Sequence, residues 1–168
     1  MSDADGQLIS PALRVLVGRT TAAAYICDLS WRIITFNPGF QALFGAGTIP
    51  TNIMEWMTLD PQARKLHLGR DEQEWRRYWL GPALAHLRFS AGQHPHNAAL
   101  NALVRQISAD PTAGAAYAEA TAAYEHPDGM VRPFWHAGAG QWGDLTICAS
   151  QPVGHPDVRL FMLLFDPY

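Results

Sequence analysis

Near its C-terminal end the chain reads RLFMLLFD over residues 159–166, and every position from Leu160 to Phe165 is apolar. A run of this length without alternation suits a central strand buried on both sides. Such a strand needs a partner along each edge and a cover over each face. The cover for the second face is expected from an N-terminal helix or from another copy of the chain.

Two partners lie just upstream, at residues 131–137 and 143–150, connected by a Gly/Ala run at 138–140 and a Pro/Gly/His run at 152–156. Leu145, Ile147 and Ala149 alternate with Thr146 and Ser150, a strand with one wet face. The others lie at the opposite end of the sequence, in AAAYICDLSWRIITFNPGFQALFG at 22–45. There Ala24, Ile26, Trp31 and Ile33 take one side of an alternating pattern, and Tyr25, Cys27, Ile34 and Phe36 the other. Neither side is polar, so both are expected to be covered. Asp28-Leu29-Ser30 supplies side chains that bond their own backbone and close a hairpin. Asn37-Pro38 then pairs an N-cap with the residue best suited to a first helical position, so a short helix follows and ends at Gly45.

Between these ends the periodicity is helical. Helices are predicted over 53–59, 62–66, 97–108 and 112–124, the last with Tyr117, Thr121 and Tyr124 as its larger residues, and a turn over 126–129. The longest begins at Asp71 and ends at Gly92, with Trp75, Trp79, Ala83, Leu84 and Leu87 along one face. Pro82 removes the bond to the Tyr78 carbonyl, so a kink is expected at Gly81-Pro82. Ser10-Pro11 caps a short helix over 12–17, and residues 1–7 read as a disordered lead. The fold class is therefore α+β, with two N-terminal and three C-terminal strands in one five-stranded antiparallel sheet covered by a helical middle. Residues 1–20 form the lead and a short packing or dimerisation helix; 21–168 form the domain. With 168 residues, 48% hydrophobic, the chain supports one substantial core.

A net charge of −3 advertises no basic face, which argues against direct grip on nucleic acid. Cys27 and Cys148 both fall in strands and read as free thiols of a reducing compartment; a disulfide is the alternative if those strands adjoin. Residues 1–7 carry no export signal, and no apolar run approaches about 18 residues, so a cytoplasmic chain without a membrane span is expected.

The order strand, turn, strand, Asn-Pro, short helix resembles the opening of PAS-type sensor domains. Four pieces in sequence extend the likeness: AAAYICDLSWRIITFNPGFQALFG, NIMEWMTLDPQARKLHLG, WRRYWLGPALAHLRFSAGQHPHNAALNALVRQISADP and WHAGAGQWGDLTICASQPVGHPDVRLFMLLFDP. Across about 22–167 the chain resembles the ligand-binding domain of MmyB-like transcription regulators, a PAS-like module. The resemblance implies a cytoplasmic sensor that holds a small apolar ligand, long-chain fatty acids being the class, and alters a DNA-bound regulator through a homodimer. Two features depart from it. Fewer than thirty residues precede the first strand, so DNA contact is expected only through a helix-turn-helix absent from this chain. The Gly81-Pro82 break is also foreign to the smooth helix of the family.

Arg88 borders the apolar stripe of the long helix and falls on the family's Leu-Arg pair, where a guanidinium can clamp a carboxylate with two hydrogen bonds. An internal salt bridge or a snorkelling surface arginine is the competing reading. His136 falls on the family's strand histidine and offers a second polar contact, or simply bonds a neighbouring backbone group. Trp31, Phe36, Phe40, Phe44, Trp56, Trp75, Trp79, Leu84, Phe134 and Trp135 can line a pocket, although most such residues are ordinary core. His94-Pro95-His96 lacks a carboxylate or cysteine at ligand spacing, so no metal is expected. Cys27 lies in a strand, not beside a flavin-binding helix, and His86 is the one fair axial position for haem; neither cofactor is expected. The sequence carries no nucleophile elbow, phosphate loop or paired carboxylates, so an enzyme is not expected. The functional expectation is a sensor domain with a fatty acid between sheet and helices. Its alternative is a fully packed dimerisation module, and a third reading is a small hydrolase or isomerase using His136.

Overall fold

A computed structural model describes residues 9–120 and 129–168. The expected lead, the end of the predicted helix over 112–124 with Thr121 and Tyr124, and all but the last residue of the turn over 126–129 lie outside the described residues. The chain runs α1 (Pro11–Arg19), β1 (Ala23–Asp28), β2 (Ile33–Phe36), α2 (Pro38–Leu43), α3 (Ile53–Thr58), α4 (Pro61–Leu66) and α5 (Glu72–Glu74). A π-helical turn (Trp75–Leu80) leads into α6 (Gly81–Gln93), followed by α7 (Ala98–Ala109), α8 (Pro111–Glu119), β3 (Val131–His136), β4 (Gln141–Ser150) and β5 (Val158–Pro167). The strands form one antiparallel sheet in the order β2-β1-β5-β4-β3, so the two ends of the chain meet at β5.

Short side chains start the helices. Ser10, Asn37, Asn52, Asp60, Asp71, Asn97 and Asp110 each accept a backbone N–H from the first turn of the helix they precede. Asn37 does more: Oδ1 accepts from Phe40 N and Ala24 N at 2.9 Å each, and Nδ2 donates to Thr20 O and Ala22 O. One buried amide thus joins the chain entering β1 to the chain leaving β2.

Both edges of the sheet are partly covered, which reduces the open pairing groups. Along β2, Ile33 N donates to Thr51 O and Ile53 N to Trp31 O. Along β3, Trp79 Nε1 donates to Pro133 O, Trp135 N donates to His67 O, and His67 Nδ1 lies 3.0 Å from Trp135 O. Pro133 therefore sits on an edge strand, where its missing N–H is tolerated.

The inner face, under the helices, carries Tyr25, Cys27, Phe134, Leu145, Phe161 and Leu163 in the main core; the outer face carries Ala24, Ile26, Ile34, Val158 and Leu160 against Ile9 and Val17. Two expectations are corrected. Ile33 packs on the inner cluster and Ile34 on the outer one, the reverse of the alternation read from sequence. The cause is a register shift between Ile26 and Cys27, together with Trp31 at φ 62°, which resets the phase of the second strand. In the run from Leu160 to Phe165 the inner side is buried at Phe161 and Leu163 and partly at Phe165, while the outer side is buried at Leu160 alone. Met162 is 39% exposed and Leu164 48%, because α1 spans only the Val158 end of the outer face. The long helix meets the expected break at Gly81-Pro82 by widening into its π-helical turn, where Gly81 N donates to Arg76 O and the bond that Pro82 cannot make is absorbed by the wider turn.

Cys27 and Cys148 are free thiols on strands separated by β5.

Candidate functional site

Aromatic rings gather between sheet and helices because β1, α2, α3, the π-helical turn and β3 each point one inward. Tyr25 lies 4.7 Å from Phe40, Phe40 lies 5.1 Å from Phe44, and Phe44 lies 5.2 Å from Trp56. Trp56 continues to His67, His67 to Phe134, and Phe134 to Trp79 at centroid separations near 6 Å. These rings, with Leu145, Ile147 and Leu163 from the sheet and Met57 from α3, surround a central apolar cavity of about 30 Å³. That volume is roughly a tenth of what a small-molecule pocket occupies.

A second gap of about 40 Å³ adjoins it, sharing Tyr25, Met57 and Ile147, and extends to Trp31, Met54, His86 and Arg132. His86 then also lines an open cleft of about 480 Å³ between α6 and the ends of β4 and β5, with Phe89, Ser90, Gln93, Gln151 and Arg159 among its walls. Three hollows therefore follow one another from solvent to the centre, each sharing a wall with the next.

Trp31 stands where the cleft meets the gap. It is buried, and its φ of 62° is a left-handed conformation that a bulky residue seldom adopts, a strain of about 1–3 kcal/mol. The turn imposes it: Trp31 N donates to Asp28 O, while Asp28 Oδ1 accepts from Ser30 N, Ser30 Oγ and Arg32 N. The Arg159 guanidinium lies 4.4 Å from the Trp31 ring centroid, and His86 meets the same indole edge-on at 5.1 Å. Burial, then the neighbouring Cys27 sulfur, push the Tyr25 hydroxyl well above its ordinary pKa, against the pull of Arg132 and Arg159.

Of the residues singled out from sequence, Phe40, Phe44, Trp56, Trp79 and Phe134 come together around the central cavity, and Trp31 lines the adjoining gap. Phe36 is half-exposed at the end of β2, against Phe40. Trp75 is buried behind the cavity, its Nε1 donating to Met57 O and its ring beneath the Arg64 guanidinium; Leu84 is ordinary core. Trp135 pairs across the sheet with Trp142. Arg88 turns toward α8: Nη1 donates to Tyr117 O at 2.9 Å and Ala118 O at 3.3 Å, with the guanidinium over the Tyr117 ring. His136 packs edge-on against Phe165, and its Nδ1 accepts from Ala139 N inside the β3–β4 turn.

Tyr25, Leu43, Ile53, Met57, Ile147 and Leu163 line the cavity without having been read as lining, and Arg159 lines the cleft. The signal for Arg159 lay in its spacing, two and four residues before Phe161 and Leu163, which puts it on the same strand face.

A sheet in this order, roofed on one face by helices over an apolar interior, defines a PAS-like α+β domain. The family model of the MmyB-like transcription regulator ligand binding domain matches residues 9–168, and the chain belongs to that family. It is thus a ligand-binding domain of a transcription regulator. No curated protein and no solved structure matches it.

Proposed function

We propose that the domain is a sensor that takes a long-chain carboxylic acid between the sheet and the helices, acting as a binding module and not as an enzyme. The observation that supports this is the succession of hollows from the open cleft through the Trp31 gap to the aromatic cavity, with polar groups at the outer end and almost none at the inner. The two inner spaces are small, so an acyl chain must displace side chains as it enters. Met54 and Met57 at their walls, unbranched and polarizable, are suited to that movement. We further propose that occupancy is passed through a homodimer to a DNA-binding partner in the cytoplasm.

The test is native mass spectrometry on the full chain after delipidation, with dodecanoic acid added back. A one-to-one adduct is expected, together with an unfolding midpoint that rises with acid concentration. Absence of both sinks the proposal.

The second reading, a packed dimerisation module, draws support from the same small inner volumes and from Val15, Leu16, Met162 and Leu164, all exposed. It predicts that deleting residues 1–18 yields monomer or aggregate while added acid leaves the unfolding midpoint unmoved.

A further inference from the structure

We propose that Arg159, on the Trp31 face at the cleft mouth, is the group that receives the carboxylate of the ligand. The inference rests on the proposed binding of a long-chain acid, and adds to it where the head lies and which way the chain runs.

Arg159 is the first residue of β5 to face inward, in phase with Phe161 and Leu163, so it stands at the solvent end of an otherwise apolar strand face. Its position is fixed before any ligand arrives. Nη2 donates to Ser90 Oγ at 3.0 Å, and Ser90 is itself buried on α6; the guanidinium carbon lies over the Trp31 ring, 4.4 Å from its centroid. Holding the cation this way lowers the cost of ordering it on binding. The contact from Nη1 to Leu29 O is long, at 3.4 Å. A carboxylate entering the cleft replaces that contact with a shorter, charge-assisted one.

The cleft is wide enough for the purpose, at about 480 Å³, and Leu29, Phe89 and Ala149 give it apolar wall beside the cation. Inward from Arg159 the route passes His86, whose ring meets Trp31 edge-on and forms a wall of both the cleft and the inner gap. A ligand with its head on Arg159 therefore directs its chain past His86 and Trp31 toward Met57 and Tyr25. Arg88, by contrast, spends Nη1 on two carbonyls of α8 and lines none of the three hollows.

The experiment compares dodecanoic acid with 1-dodecanol, which has the same chain and no charge, by titration calorimetry on the full chain at pH 7.5. For Arg159→Gln the dissociation constant for the acid is expected to rise at least tenfold while that for the alcohol stays within twofold, and Arg159→Lys falls between for the acid. Retained alcohol binding also reports that the variant is folded. If Arg159→Gln leaves acid binding unchanged, or weakens acid and alcohol equally, or if Arg88→Gln produces the acid-selective loss instead, the anchor is not Arg159 and the wider sensor reading stands. If the unmodified chain binds neither compound, the sensor reading fails and the anchor with it.

Discussion

The indole Nε1 of Trp79 donates to the Pro133 carbonyl at 3.0 Å, joining the π-helical turn to the outer edge of β3. Both groups are buried, so neither can turn to water instead. Trp79→Phe keeps most of the apolar ring and leaves the Pro133 carbonyl without its donor. A loss of about 1–3 kcal/mol is expected. Urea unfolding followed by circular dichroism checks it: the midpoint should fall with an unchanged slope, and an unmoved midpoint refutes the role.

Asn37 holds four backbone groups at once, two as acceptor and two as donor. Asn37→Ala removes the cap of α2 and strands Ala24 N and the Thr20 and Ala22 carbonyls. A loss of about 2–4 kcal/mol is expected. Asn37→Asp retains the two acceptor bonds and replaces the donor with a second oxygen facing two carbonyls, so it should rescue little. If denaturant titration finds Asp nearly as stable as Asn, the donor half of the amide contributes less than the geometry implies.

The two thiols should differ sharply in reactivity. Burial pushes the Cys27 thiol up to about 12, against the pull of Arg159, so at pH 8 almost none of it is the nucleophilic thiolate. Cys148 is only partly buried, on the outer face opposite Met162. Iodoacetamide at pH 8 is expected to add one label to the folded chain, at Cys148, and a second only in denaturant. Peptide mapping that finds Cys27 modified in the folded protein contradicts its position on the inner face.

His136 brings a pH dependence of definite sign. Burial lowers its pKa below that of a free imidazole, so the folded state disfavours the proton that the unfolded state accepts. Its contribution is fully present above about pH 6.5 and is lost as the pH falls through the lowered value. The thermal midpoint of the unmodified protein should therefore drop between pH 7 and 5.5 by more than that of His136→Gln. Parallel curves for the two proteins would show that another group is responsible.

Much of the fold was legible because its determinants are local. Asn37-Pro38, Asp60-Pro61 and Asp110-Pro111 mark helix starts through bonds made within one turn, and Leu145, Ile147 and Ala149 reveal a strand face by period alone. The all-apolar run at 160–165 suited a central strand, a place it does take although its outer face is covered only in part, and with strands read only at the two ends of the sequence, a sheet through that strand unites them.

What the sequence could not specify depends on contacts between distant residues. The phase of β2 is set by the register shift opposite Ile26 and Cys27 together with the left-handed Trp31, a conformation that no propensity assigns to tryptophan, and so Ile33 and Ile34 exchanged faces. The π-helical turn that accommodates Pro82 is held by the indoles of Trp75 and Trp79, bonded to carbonyls 18 and 54 residues away. The direction of each arginine was likewise a tertiary matter. Arg88 and Arg159 both adjoin apolar faces in the sequence, yet α8 offers two carbonyls to Arg88, while the meeting of β5 with the Asp28–Trp31 turn lays Arg159 on an indole at the cleft mouth. A guanidinium on a long flexible stem goes where acceptors and ring faces assemble around it, and only folding brings those together.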